Sequence, residues 1–145
     1  MDKDQLVSQM KVILATSFSL YLKAHNYHWN VMGPNFGQYH DFFGDLYEEL
    51  HGSIDTTAEE IRNLGGFAPG SLARYLELSR IEDESMVPEP FTMFRRLASD
   101  NDTLIDLLYL ARKTADEIDA FGTVNYLEDR ISTHEKHAWM LKSFE

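Results

Sequence analysis

The feature that most restricts this chain is the placement of its helix breakers. Gly33-Pro34, Gly65-Gly66, the Pro69/Pro88/Pro90 series and Gly122 cut it into four long stretches, each with an apolar stripe of helical period. Over 3–31 the stripe is Leu6, Met10, Ile13, Leu14, Ser17, Leu20, Tyr21, Ala24 and His28, started by Asp2 or Asp4 as cap. Over 36–64 it is Tyr39, Phe43, Leu46, Leu50, Ile54, Ala58 and Ile61, with Asn35 and Gln38 spaced as a capping box. Phe94, Leu97, Leu104, Leu108, Ala111, Ala115 and Ile118 predict a helix over 90–119. Leu127, Ile131, His134, Ala138 and Leu141 predict another from Thr123, as its cap, to 143. No stretch alternates as a strand would.

The connections then decide the topology. The first and last are short, so each joins an antiparallel helix hairpin, whereas the middle one, 65–89, is long enough to travel the length of a bundle. Ser71 is placed to cap a short helix, Leu72 to Leu78, inside that crossover. The expectation is an all-α, ferritin-like four-helix bundle with a short extra helix in its long crossover. At 145 residues it forms a single domain, 1–145.

Composition removes several classes of function. The formal charge of -11 opposes binding to a phosphate backbone and favours attraction of cations. With no cysteine there is no disulfide, thiolate metal site or cysteine nucleophile, a composition that suits the cytoplasm. No apolar run is long enough for a membrane span, and no signal-peptide pattern is present.

The chemistry gathers in the segment from His28 to Glu59. His28 and His40 flank the first turn symmetrically and so can meet. Asp55 and Glu59 stand four residues apart on one helix face and can also meet. Imidazoles with carboxylates suit a redox metal such as iron. The two pairs, however, are separated by fifteen residues of one helix, about 22 Å at about 1.5 Å per residue. Metal bonds of about 2 Å cannot cross that distance. Either the pairs are unrelated, or a second chain on a two-fold axis brings its acids to the first chain's histidines.

The string Tyr27-His28-Trp29-Asn30-Val31, followed by Gly33, Phe36 and His40, then Asp55-x-x-x-Glu59 and Leu64-Gly65-Gly66, resembles the Dps family, the mini-ferritins. The likeness extends to His134-Glu135-Lys136-His137-Ala138-Trp139-Met140. It implies a hollow dodecamer that oxidises Fe(II), preferably with hydrogen peroxide, and stores the ferric mineral. It also implies that the catalytic and metal-binding residues are His28 and His40 of one chain with Asp55 and Glu59 of its two-fold mate, Glu59 bridging two iron positions. Gly44 departs from the pattern, since many members carry Asp there; Asp41 or Asp45 are the nearest substitutes. Acidic pores of the family correspond to Asp116, Glu117 and Asp119, with Asn125 where an acid is common.

The alternative function is a shell that mainly compacts DNA, which would need a basic outer patch or a Lys-rich tail. Met1-Asp2-Lys3-Asp4 is no such tail, and DNA binding is expected to be weak or absent. A di-iron centre inside one bundle needs two Glu-x-x-His pairs, and Glu48-x-x-His51 is single. Trp29 and Trp139 read as core or interface residues; the lesser alternative for Asp55 and Glu59 is a solvated face, with Arg62 three residues on as a partner for Glu59. His134 reads as structural, and His25, His51 and His137 carry no functional signal.

Overall fold

The computed structural model describes residues 2–144; Met1 and Glu145 lie outside it. Five helices follow one another: α1 (Asp2–Asn30), α2 (Phe36–Asn63), α3 (Leu72–Leu78), α4 (Pro90–Glu117) and α5 (Phe121–Lys142). The hairpins α1–α2 and α4–α5 pack against each other along the α1–α4 seam, and α3 rests on α1. The crossover four-helix bundle expected from the breakers is the fold observed. Its core draws Leu6, Met10 and Tyr27 from α1, Phe43 and Leu50 from α2, Leu97 and Leu104 from α4 and Leu127 from α5, all fully buried. The α2–α5 seam differs. It is joined through polar side chains, Glu49 to Arg130, Thr57 to Tyr126 and Glu60 to Thr123.

The helix ends show where local reading succeeds. Gly65 takes φ +91°, and its neighbour Gly66 donates its N–H back to the Ile61 carbonyl, the glycine stop expected after α2. Ser71 caps α3, accepting from the Arg74 amide at 3.2 Å. Other expectations need correction. Asn35 makes no side-chain cap bond, because the Gly33–Pro34 turn has already given the Phe36 amide to the Gly33 carbonyl and holds Asn35 at φ -105°, ψ 24°. That backbone is not the extended one a cap residue needs. Thr123 lies inside α5, which begins at Phe121, so Gly122 falls in the first turn and breaks nothing. The reversal before it is made by Asp119 at φ +56°, with Ala120 donating to the Ala115 carbonyl. Asp2 and Asp4 sit in the first turn of α1, complementing its dipole; the cap position itself falls outside the described residues. Glu89, a cap the spacing did not suggest, accepts from the Phe91 and Thr92 amides ahead of Pro90.

The crossover is pinned by charge. Tyr27 and Arg96 both donate to Glu84, and the buried Lys23 bonds Asp100 at 2.5 Å. Burial, together with the hydrogen bond to Glu84, pushes the Tyr27 phenol far up, so it stays a donor. By contrast α3 has no buried residue, and Leu72 and Leu76 are 73% and 69% exposed in the single chain.

Candidate metal centre

His28 reaches the α1–α2 seam from the last turn of α1, and His40 from the first turns of α2. The Gly33–Pro34 turn brings them face to face, ring centroids 3.8 Å apart. Each ring then serves the other helix. His28 Nδ1 donates to the His40 carbonyl at 2.7 Å, and His40 Nδ1 donates to the His28 carbonyl at 2.7 Å. The His28 carbonyl is one of the four that α1 leaves without an intrahelical partner at its C-terminal end. Because a carbonyl only accepts, each Nδ1 carries a proton, and in the neutral ring it is Nε2 that holds the lone pair. This is how outer-shell bonds prepare a histidine for a metal. The donor chemistry therefore fits iron.

Gly44 contributes space. A Cβ there would stand 3.1 Å from His28 Cε1 and Nδ1, so the imidazole uses room that a side chain would fill. Neither substitute for its missing acid is brought in. Asp45 lines the groove between α2 and α5 instead, and Asp41 points to solvent. Behind His28 the sequence reading missed a layer. The ring of His25 stacks on Tyr47 at 3.7 Å and lies 3.9 Å from Trp29, while Tyr21 shares a hydrogen bond with its Nδ1. Burial, then the neighbouring His28 and His51, lowers the His25 pKa, which keeps one more positive charge away from the pair. The spacing of His25 and His28, one turn apart, was the available signal.

Asp55 and Glu59 lie exposed on the same uninterrupted α2, fifteen residues beyond His40. They form no ion pair among the described residues, and Arg62 lies over the Phe67 ring at 4.7 Å rather than on Glu59. Accordingly, no three acid, histidine or cysteine groups of the described residues converge within one chain to hold a metal. Trp29 and Trp139 are 60% and 67% exposed, so neither is a core residue of the single chain. Asp116 and Glu117 are exposed at the end of α4, Asp116 within 4.0 Å of Arg112. His134 is structural in its contacts, buried and held by Asn101 and Arg130.

A family model for the ferritin-like domain matches residues 7–144. A DNA protection during starvation protein of Brevibacillus brevis is 40% identical over 86% of this chain and 84% of its own length. The chain belongs to the Dps branch of the ferritin-like family. The Dps crystal structure from Bacillus brevis superposes with a TM-score of 0.95 at 36% identity, covering 99% of this chain and 96% of that one. A Dps of Vibrio cholerae, described as belonging to the ferritin-like diiron-carboxylate superfamily, gives a TM-score of 0.95 at 26% identity, over 99% of this chain and 90% of its own. Antigen TpF1 of Treponema pallidum is 33% identical over 94% of this chain and 77% of its length. As a Dps-type chain it has no helix, among the described residues, long and apolar enough to cross a membrane.

Proposed function

We propose that this protein is a cytoplasmic iron-detoxifying and iron-storing ferroxidase, a homo-oligomer of twelve chains built from two-fold dimers. Fe(II) binds where Nε2 of His28 and His40 from one chain meet Asp55 and Glu59 of the next. Nitrogen ligands hold the ferrous ion, and the anionic acids favour the ferric product. Hydrogen peroxide is the oxidant: its O–O bond accepts one electron from each of two Fe(II) ions. The reduced oxygens leave as water or oxide, and hydrolysis of the ferric product releases protons. The mineral collects inside the shell.

The observation that carries this reading is the reciprocal histidine pair, with Nδ1 of each ring engaged and, among the described residues, no set of acids of its own chain converging to complete it. Support for a second copy comes from the apolar surface of α1 and α3, Leu22, Trp29, Leu72 and Leu76, which one chain leaves in water. A net charge of -11 per chain supports attraction of Fe(II) and opposes DNA. The protection of DNA for which relatives are named follows from removing iron and peroxide together, without binding DNA.

The test is anaerobic loading with Fe(II) followed by peroxide, reading ferric absorbance, iron retained on gel filtration and hydroxyl radical by spin trapping. Fast oxidation with about two Fe(II) consumed per peroxide and little trapped radical is expected. Oxidation no faster than in protein-free buffer would refute the proposal.

A further inference from the structure

We propose that Arg130 acts as a built-in cation in the bundle: its guanidinium occupies the place between Glu49 of α2 and His134 of α5 that a divalent metal would take, and so keeps metal out of the bundle interior. The α2–α5 seam is joined through polar groups, and this network is part of it. Arg130 donates to both carboxylate oxygens of Glu49, at 2.5 and 3.2 Å, and to His134 Nε2 at 2.8 Å. His137 Nε2 donates to the same carboxylate at 2.8 Å. One acid and one imidazole thus accept from a single positive centre, and a second imidazole bonds the acid from its other side.

The arrangement of His134 is that of a metal ligand. Asn101 accepts from its Nδ1 at 2.7 Å and returns a bond from Nδ2 to the His134 carbonyl at 2.8 Å, which fixes ring and tautomer. The Nε2 lone pair is thereby aimed at the cation, as outer-shell partners aim it at metals. Burial, then the charges of Arg130 and His137, hold the His134 pKa well below its ordinary value, so the ring stays neutral. Burial would raise Glu49, but the bonds and charges of His137 and Arg130 hold it at about 2, so the carboxylate stays charged. His134 and Arg130 are 1% and 7% exposed, whereas Glu49 and His137 border an open groove with Phe42, Asp45, Leu46 and Lys136. That groove gives an ion a way in.

Size explains why these groups are not already a metal site. The guanidinium is a broad planar cation that spaces its acceptors at hydrogen-bond distance, whereas a metal draws its donors to about 2.0–2.2 Å. Removing the guanidinium frees the Glu49 carboxylate and His134 Nε2 to close on a smaller ion. His137 joins them once its proton sits on Nδ1. A fork of fixed positive charge at this point also needs no loading and cannot exchange. The inference stands apart from the shared pocket, since it concerns only groups within one chain.

The test uses the full-length chain carrying His28→Ala and His40→Ala in every arm, so that the shared pocket cannot contribute. Into it Arg130→Met is introduced and cobalt(II) is titrated, reading visible absorption and ions per chain. The parent should take up no cobalt with the strong bands of four- or five-coordination. The Arg130→Met protein should take up an additional ion per chain with those bands. Adding His134→Ala should abolish it, and Asn101→Ala should weaken it by about 10–100-fold. If Arg130→Met does not keep its helices in metal-free buffer, the same titration is read by circular dichroism, where recovery of helicity with cobalt supports the inference. A folded Arg130→Met protein that binds no more cobalt than its parent would overturn it. So would an extra ion indifferent to His134→Ala, or an unfolded protein that cobalt does not restore.

Discussion

A shared pocket makes a numerical prediction through symmetry alone. Take one variant, His28→Ala with His40→Ala, that keeps its acids, and a second, Asp55→Ala with Glu59→Ala, that keeps its histidines. Each alone has no complete pocket, whichever way the pockets are built. In a two-fold dimer of one variant with the other, one pocket joins two defective halves and the second joins two intact halves. Random mixing makes about half of the dimers mixed, with one good pocket of two in each, so about a quarter of wild-type activity returns. Stability should permit the experiment. The histidine variant loses two hydrogen bonds at half-buried carbonyls that water can reach, together with one stacked pair, which costs about 2–3 kcal/mol. The acid variant removes exposed, unpaired carboxylates and should change stability by less than about 0.5 kcal/mol. The chains would be unfolded and refolded together with different affinity tags, purified through both, and assayed for peroxide-dependent Fe(II) oxidation. Doubly tagged assemblies with no more activity than either parent would refute the shared pocket.

Four further outcomes follow from other parts of the molecule. Asn101→Ala strands the buried His134 Nδ1 and carbonyl and should cost about 2–4 kcal/mol in thermal unfolding, with little change in iron oxidation. Glu49 has its pKa lowered from 4.5 to about 2, so its contribution is complete above the unfolded value and is lost as pH falls from there through the folded one. Discounted for its one-third exposure, that contribution is about 2 kcal/mol, and urea unfolding of Glu49→Gln should show the shallower acid limb. Leu72→Asp with Leu76→Asp should keep helicity while light scattering shows loss of the large assembly, because two charges would enter the apolar face proposed to meet a second copy. Gel shifts should show no retained DNA at about 0.15 M salt; a stable complex there would count against the lesser place given to DNA.

How far the sequence could be read depended on whether the relevant neighbours lie along one helix or across several. Stripes and breakers are properties of one segment at a time. They located the bundle, the crossover and α3, and the symmetry of a short turn was enough to bring His28 against His40. Capping was read less well, because it depends on backbone angles that residue identity only biases. Asn35 was diverted by the turn before it, and Asp119 took up the left-handed position that glycine was expected to mark. The network around Arg130 was not legible at all. It joins Glu49, Asn101 and His134 from three helices, and its register is set by core packing that no single stripe encodes.

The same distinction explains why a shared metal centre could be proposed from one chain. Four ligand-type residues on a continuous α2 and the end of α1 form two pairs, and the rigidity of that helix prevents the pairs from meeting. Flexibility in the histidines or acids does not help, since side chains reach only a few ångströms across about 22 Å of axis. Reciprocal bonding at Nδ1 engages one nitrogen of each ring and leaves Nε2 of both for a further partner, which is what the proposed shared pocket requires. In the proposed pocket the rest of the coordination comes from outside the chain, and a two-fold copy is the source that would supply both acids at once.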